Sequence, residues 1–172
     1  IYRANNGLVW LATNKGLSLY NPKQSAIKTL YGDAGRDKGL SDVDINSLAE
    51  DRQGNIWLGL REKGLDVINP TTGLIKHIGV DAEKPNSTLP AGAVAAITVQ
   101  PSGKSFIGSN WGVYQYWQSK LQRLATGERN SKSYTGALYT AQNYLWAGGT
   151  DGLWRFTLDK NQLTNTKKIN TA

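Results

Sequence analysis

A segment that recurs four times constrains this chain more than any other sequence feature. Its clearest copy, residues 51–70 (DRQGNIWLGLREKGLDVINP), reads as a strand, a short loop and a second strand. Intervals of 47, 49 and 40 residues separate the aromatic anchors of the copies, which are Trp10, Trp57, Phe106 and Trp146. The glycines that open the second strand of each copy are Gly16, Gly64, Gly112 and Gly152. This period indicates a repeat architecture, in which each unit buries its apolar surface against its neighbours.

The residues around the anchors predict four short strands per unit, which we label A to D, with the anchor on strand B. No segment has a sustained helical period, and turn residues separate the strand-like segments. Strands B and C are apolar on both faces in places, as at residues 56–58 (IWL). Such strands need cover on both sides. A β-propeller supplies it, because each four-stranded blade packs between two others.

The sequence therefore predicts an all-β fold, a propeller fragment of about four four-stranded antiparallel blades. The blades are expected in one propeller segment, residues 1–172, at residues 1–31, 44–79, 93–125 and 135–170. The first blade is predicted to lack strand A, which leaves fifteen strands. Propellers close with about four to eight blades, so we expect a larger propeller, completed by further blades or by association of chains. An unclosed edge would expose an apolar patch that favours self-association.

The repeated positions are interpreted as structural, because a residue present in every unit serves the unit. The aromatic anchors are predicted to be wedges between blades. The four glycines are predicted to adopt positive φ or to allow a close backbone approach after the B–C loop. The chain also begins inside a repeat and without an initiator methionine, so we expect it to be an excised piece of a longer protein.

Composition excludes several functions. The formal charge is +7, but the basic residues are scattered, and the aromatic residues recur at strand positions instead of interleaving with a basic groove. Nucleic-acid binding is therefore not expected. The chain has no cysteine and no apolar run long enough to span a bilayer. Neither a metal-ligand cluster nor a phosphate-binding loop is found, so no metal or cofactor is predicted.

Catalytic chemistry is weakly represented. The lone histidine, His77, is interpreted as a partly exposed structural residue, with a pH-sensitive contact as the alternative. Asp42 and Asp44 could form an acid/base or cation pair, but their place before strand A favours a turn role. Asp51, at the A–B turn, is expected to accept backbone N–H groups. No catalytic residue is predicted.

Ligand binding is better supported, by the loops. In blades of this order the D–A and B–C loops emerge on one face, and the D–A loops, residues 32–44, 79–92 and 125–134, are long and differ in sequence. Variable loops on a rigid scaffold are common recognition sites. Trp111 replaces a residue that is polar in the other copies, and an exposed tryptophan there would suit a sugar ring or aromatic ligand, although it could equally pack on a neighbouring loop. The candidate ligand-binding residues are Arg61, Glu62, Asn110, Trp111 and Asp151.

Residues 39–70 resemble the two-component regulator propeller repeat. They carry a Gly-Leu-Ser lead-in, a strand ending in aspartate, then Gly-Asn-Ile-Trp, a Gly-Leu pair and Asn-Pro. Leu60 stands where the family usually has threonine, and the third and fourth copies lack the Asn-Pro. Weaker copies extend the resemblance over nearly the whole chain.

The resemblance implies a periplasmic sensor region of a bacterial signalling protein, tethered to the membrane in the full-length molecule. In such proteins the output module is a histidine kinase or a diguanylate cyclase. The expected function is non-catalytic sensing of a carbohydrate or other small molecule. One alternative is a protein–protein interaction or dimerisation scaffold, and a less favoured one is a propeller lyase or hydrolase.

Overall fold

A computed structural model describes residues 1–24, 26–30, 39–80, 89, 92–124, 133–159 and 162–169. Within these residues the chain forms four separate four-stranded antiparallel sheets, and each sheet keeps its strands in chain order. The predicted all-β propeller architecture is therefore confirmed. The described part of the chain contains no helix that is long and apolar enough to cross a membrane.

The sheets follow one another along the sequence. Sheet 1 comprises β1 (Tyr2–Arg3), β2 (Val9–Thr13), β3 (Gly16–Asn21) and β4 (Ala26–Leu30). Sheet 2 comprises β5 (Ile45–Glu50), β6 (Ile56–Leu60), β7 (Leu65–Ile68) and β8 (Ile75–Ile78). Sheet 3 comprises β9 (Val94–Val99), β10 (Ser105–Ser109), β11 (Gly112–Trp117) and β12 (Lys120–Leu124). Sheet 4 comprises β13 (Thr135–Ala141), β14 (Tyr144–Gly149), β15 (Gly152–Asp159) and β16 (Gln162–Ile169).

The prediction that the first blade lacks strand A is wrong. Residues Tyr2 and Arg3 pair with Trp10 and Val9 and form β1, so the described residues contain sixteen strands. Two residues are too few to show alternation in a sequence. The strand is held from outside sheet 1, because the Tyr2 hydroxyl donates a hydrogen bond to Glu50 of sheet 2 (3.3 Å).

Consecutive sheets pack face to face, and three apolar clusters fill the spaces between them. The cluster between sheets 1 and 2 includes Trp10, Leu17, Leu40, Leu58 and Ile68. The cluster between sheets 2 and 3 includes Trp57, Leu65, Leu89, Ile107 and Tyr116. The cluster between sheets 3 and 4 includes Phe106, Val113, Leu145 and Phe156. Both faces of strands B and C in the inner sheets are thus removed from water, which accounts for their two-sided apolar sequences.

The A strands of sheets 2, 3 and 4 lie closest to one another, and the D strands form the outer edges. Strand β5 contacts β9, and β9 contacts β13, so successive A strands line the inner side of the array. The D strands carry exposed lysines, which discourage edge-to-edge pairing with other chains; these are Lys28, Lys76, Lys120 and Lys168. Part of the scattered positive charge therefore lies along the blade edges.

Local geometry follows from the repeated residues. The aromatic anchors Trp10, Trp57 and Phe106 are buried between sheets. The fourth anchor, Trp146, is half-exposed. All four repeat glycines have positive φ, at 124°, 85°, 95° and 92° for Gly16, Gly64, Gly112 and Gly152. At Gly64 a β-carbon would also collide with the carbonyl oxygen of Ile78.

Asp51 organises the A–B turn of sheet 2. Its carboxylate accepts backbone N–H bonds from Gln53 (3.0 Å) and Asn55 (2.9 Å), as the sequence predicted. It also accepts a bond from the indole N–H of the anchor Trp57 (3.1 Å). The turn is thereby attached to the apolar wedge between sheets 2 and 3. In sheet 1, where Ala4 precedes the equivalent turn, the indole N–H of Trp10 is buried and has no hydrogen-bond partner among the residues that the structure describes.

Replacing Asp51 with alanine should destabilise the chain by about 2–3 kcal/mol, because the buried indole N–H and the turn amides lose a charged acceptor. Denaturant unfolding measures this loss. The matched control is Asp151→Ala, because Asp151 lies in a B–C turn and accepts no anchor indole N–H among the described residues. Equal stability of the two variants would contradict the anchoring role of Asp51.

Two tyrosines make the fold sensitive to alkali. Burial raises the pKa of Tyr114, although nearby Arg123 lowers it, and burial together with Glu50 raises the pKa of Tyr2. A raised folded-state pKa contributes stability that is complete below the unfolded pKa of about 10 and is lost as the pH rises through the folded value. We expect the melting temperature of Tyr114→Phe to fall less steeply above about pH 10 than that of the parent chain. Tyr139→Phe, at an exposed tyrosine, is the control; identical profiles for all three proteins would contradict the assignment.

Candidate functional site

One backbone hydrogen bond recurs on the face that carries the D–A and B–C loops. In sheets 2, 3 and 4 an amide of the B–C loop donates to the carbonyl of the residue before strand A. The pairs are Arg61 to Asp44 (3.0 Å), Asn110 to Ala93 (3.3 Å) and Thr150 to Tyr134 (2.9 Å). We call these tied segments, residues 42–47, 61–63, 92–95, 109–111, 133–136 and 149–151, the rim. Because main-chain groups make the tie, the side chains can differ from sheet to sheet.

A β-bulge opens strand A in the same three sheets. The register shifts between Ile45 and Ser47, between Val94 and Ala96, and between Thr135 and Ala137. Bulges redirect side chains and are frequent beside functional sites. The bulged residues are Asn46, Ala95 and Gly136. Of these, Asn46 has a polar side chain and is exposed, which makes it a rim residue that sequence reasoning missed.

In sheet 2 the rim holds an accessible guanidinium. Arg61 Nη1 lies 3.1 Å from Asp44 Oδ2, and the two side chains are 64% and 27% exposed. An exposed pair of this kind contributes at most about 1 kcal/mol, so it orients the arginine while leaving it available to a ligand. Asp42 accepts the amide of Asp44 (3.2 Å), which is the turn role favoured from sequence. Glu62 is exposed beside Arg61.

In sheet 3 the rim residues are packed more tightly. Trp111 is half-buried against the apolar cluster between sheets 2 and 3, and its amide donates to Ser109 Oγ (3.1 Å). Asn110 packs on Gly92, where a β-carbon would lie 2.9 Å from Asn110 Nδ2. Trp111 thus packs on this apolar cluster, whereas the alternative considered from the sequence was packing on a neighbouring loop; the residue stays partly exposed, and its binding role remains a prediction.

In sheet 4 an exposed aromatic ring lies on the rim. Tyr134 is 43% exposed, and its ring lies over Gly136, where a β-carbon would be 2.8 Å from Tyr134 Cε1. Its carbonyl holds Thr150, the neighbour of half-buried Asp151. Sequence reasoning placed Tyr134 at the end of a loop and did not select it. The glycine two residues later, which leaves room for the ring, was the available signal.

The five residues predicted to bind ligand thus lie on the rim, at the ends of three consecutive sheets. Arg61 and Glu62 belong to sheet 2, Asn110 and Trp111 to sheet 3, and Asp151 to sheet 4. The D–A loops were also expected to contribute, but residues 31–38, 81–88, 90–91 and 125–132 lie outside the described residues. No group of three or more histidines, cysteines, aspartates or glutamates that could hold a metal occurs in the described part of the chain.

A serine, a histidine and an aspartate meet beside the rim. Asp66 is completely buried and accepts bonds from Ser41 N (2.7 Å), Ser41 Oγ (2.8 Å) and His77 Nδ1 (2.7 Å). Ser41 Oγ also lies 2.6 Å from the same ring nitrogen. A nucleophilic triad needs the serine and the carboxylate on opposite nitrogens of the imidazole. Here they share one, so the cluster joins residue 41 to strands β7 and β8 and is structural.

Asp66→Ala should destabilise the chain by about 2–4 kcal/mol, because it removes the buried acceptor of the half-buried Ser41 and releases His77. Asp66→Asn retains an acceptor oxygen, so its stability should lie between that of the parent chain and that of Asp66→Ala. Equilibrium unfolding at neutral pH gives both values, with Glu62→Ala as an exposed acidic control. An alanine variant as stable as that control would show that the cluster does not hold the lead-in segment.

Comparison with known proteins agrees with this description. The fold and the tied rim define a β-propeller segment with variable loops on one face. Residues 39–62 match the two component regulator propeller family, which confirms the resemblance seen in the sequence. This part of the chain is similar to one repeat of that family. No curated protein matches the chain in sequence.

Solved structures show the same fold at low identity. The extracellular domain of the putative hybrid two component system BT3049 from B. thetaiotaomicron superposes with a TM-score of 0.74 at 20% identity, over 95% of this chain and 22% of that one. The extracellular domain of BT4673, a putative hybrid two component system from the same organism, gives 0.67 at 23% identity, over 90% and 21%. The chain thus spans about a fifth of these two structures.

A third similar structure is an enzyme. A catalytically inactive virginiamycin B lyase from Staphylococcus aureus, solved with quinupristin, gives a TM-score of 0.70 at 16% identity, over 99% of this chain and 55% of that one. At these identities the three likenesses establish the fold, and neither sensing nor lyase activity follows from them.

Proposed function

We propose that this chain is a non-catalytic, ligand-sensing propeller segment from the extracytoplasmic part of a bacterial membrane signalling protein. The family match at residues 39–62 supports the signalling context. The fold likeness to extracellular domains of two component systems supports a periplasmic location and a membrane tether in the full-length protein.

The structure of the rim is the observation that supports ligand binding. One backbone frame is repeated in three sheets, while the side chains mounted on it change from Arg61 and Glu62 to Asn110 and Trp111 and then to Asp151. A frame that is fixed by main-chain bonds tolerates such changes without loss of fold. Binding sites are typically built in this way, from variable residues on a rigid scaffold.

The chemistry of the rim suits a carbohydrate or a similar polar ring. Tyr134 offers an exposed aromatic surface, Asn46 an exposed amide, and Arg61 a guanidinium that is oriented by Asp44 yet 64% exposed. Aromatic rings pack on the apolar faces of sugars, while amide and guanidinium groups bond to hydroxyl or carboxylate oxygens. The guanidinium favours an acidic sugar over a neutral one.

A panel of neutral and acidic oligosaccharides, tested by thermal shift and then titrated calorimetrically, examines this proposal. Arg61→Ala and Tyr134→Ala should each weaken binding about 10-fold or more, the loss of one charged or stacking contact. The control Arg52→Ala removes another exposed arginine, from an A–B turn on the opposite face, and should bind like the parent chain.

Two results would contradict the rim as the site. One is that no sugar in the panel raises the melting temperature. The other is that Arg52→Ala weakens binding as much as Arg61→Ala does.

An enzymatic function is the alternative suggested by the lyase of similar fold. The carboxylates of Asp42, Asp44 and Asp66 are engaged in a turn, an ion pair and a buried cluster. Because these three carboxylates already have structural partners, a binding function is favoured over a catalytic one. Release of product from the same oligosaccharide panel, or from lyase substrates, would favour the enzyme instead.

A further inference from the structure

The charge along the outer edges of the four sheets has a single sign. The D strands, β4, β8, β12 and β16, contain six of the 20 lysines and arginines of the chain and none of its 13 aspartates and glutamates. We call these six residues the outer belt; they are Lys28, Lys76, Lys120, Arg123, Lys167 and Lys168. Protection of an edge against strand pairing needs charge, but glutamate serves as well as lysine, so protection alone does not explain the single sign.

The acidic side chains lie on other parts of the sheets. Among the described residues, Asp66 on β7 is completely buried, and Asp159 lies at the end of β15. The other acidic residues described precede strand A, end strand A or occupy the A–B and B–C turns; they are Asp42, Asp44, Glu50, Asp51, Glu62 and Asp151. The fold thus separates charges that look scattered in the sequence, and it collects positive charge along the outer edges.

The lysines of the outer belt are exposed, and the partners that they have leave their charge in place. Within the described part of the chain, none of these lysines forms an ion pair with a carboxylate. Lys76 Nζ instead donates to the Tyr116 hydroxyl (3.0 Å) and lies 5.5 Å from the centre of that ring. Lys168 Nζ lies 5.8 Å from the centre of the Trp154 ring. An aromatic ring orients an ammonium group without neutralising it, so both cations remain available to an anion.

The outer belt follows a convex wall. The A strands of sheets 2, 3 and 4 contact one another, whereas each D strand has a single neighbour in its sheet, the C strand. The D edges therefore point away from the inner side of the array, one from each sheet. Each free edge also carries main-chain N–H groups that no neighbouring strand uses. A ligand that contacts several of these edges must be long, able to follow the curve and negatively charged at intervals.

We propose that the outer belt docks a linear acidic polysaccharide, with its carboxylate or sulfate groups on the lysines of successive sheets. Ammonium groups form charge-assisted hydrogen bonds with such oxygens, and the main-chain N–H groups of the free edges add further donors. This surface is separate from the rim, because the belt runs along the sides of the sheets and the rim lies at their ends. A polymer on the belt therefore leaves Arg61 available to a ligand of its own.

Other anionic partners fit the outer belt less well. A flat membrane and a stiff DNA duplex each reach only part of a convex wall. A single nucleic-acid strand is flexible enough, but it is held by aromatic side chains on which its bases stack. The four D strands contain no phenylalanine, tyrosine or tryptophan. A charged sugar chain needs only the ion pairs and the main-chain donors that these edges supply.

Binding of dextran sulfate to the 172-residue chain, measured by fluorescence anisotropy in about 0.1 M salt, tests the proposal. Neutral dextran, which has the same backbone without sulfate groups, should not bind. A triple variant with Lys28→Gln, Lys120→Gln and Lys168→Gln should bind dextran sulfate about 10-fold more weakly, because three exposed ion pairs of modest strength are lost. All three positions are exposed, so the variant should melt like the parent chain.

The matched control carries Arg3→Gln, Lys15→Gln and Arg52→Gln, which remove the same net charge from exposed positions away from the D strands. It should bind within about 2-fold of the parent chain, because charges farther away than a screening length of about 10 Å contribute little. An equal loss in both triple variants, no binding of dextran sulfate, or equal binding of neutral dextran would overturn the outer belt as the site. Tighter binding of duplex DNA or of phosphatidylglycerol vesicles than of dextran sulfate would overturn the assignment of a polysaccharide.

Discussion

The burial of each sheet against its neighbours is the interaction on which the rest of this structure depends. Strands B and C of an inner sheet present apolar side chains on both faces, and a single sheet cannot remove both from water. Leu58 and Leu65, on opposite faces of sheet 2, are each fully buried because sheet 1 covers one and sheet 3 covers the other. Stability is therefore a property of the stack, as expected for repeat proteins whose units contact their sequence neighbours. The same dependence explains why the outermost faces differ so strongly in exposure from their buried equivalents.

This packing separates the residues that repeat from those that are available for recognition. The aromatic anchors and the positive-φ glycines are fixed by wedge and turn geometry, and any ligand contact there would compete with the fold. The rim is freer, since backbone hydrogen bonds hold it. Its side chains can change from an arginine ion pair in sheet 2 to an asparagine packed on glycine in sheet 3 without altering the tie between the B–C loop and strand A.

Sequence reasoning reached the repeat-based features and missed the features formed by long-range contacts. Trp57, Gly64 and the acceptor role of Asp51 follow from local patterns that recur or have turn chemistry of their own. Strand β1 was missed because two residues show no alternation and are held by Glu50, 48 residues away. The bulge at Asn46 leaves no compositional trace. The bond between Ser41 and Asp66 joins residues 25 positions apart, so the lead-in serine looked like part of a loop. Ligand binding was predicted from the variability of the loops. The structure adds the backbone bonds that hold the rim and the side chains that are accessible on it.

The lead-in segment, residues 39–44, connects the rim to the packed sheets, and this connection would give the proposed sensor a physical route for a signal. Within five residues, Leu40 enters the apolar cluster between sheets 1 and 2, Ser41 is bound by the buried Asp66, and Asp44 holds Arg61. Strand β5 begins at the next residue and contacts β9 of sheet 3. A ligand that binds the Arg61 guanidinium competes with Asp44 for it. Release of Asp44 would alter the lead-in segment, which also packs in the core between sheets 1 and 2. A ligand shifts a conformational equilibrium only by its difference in affinity for the two states. An ion pair that is weak and exposed, yet attached to a buried cluster, allows such a difference at little cost to the fold.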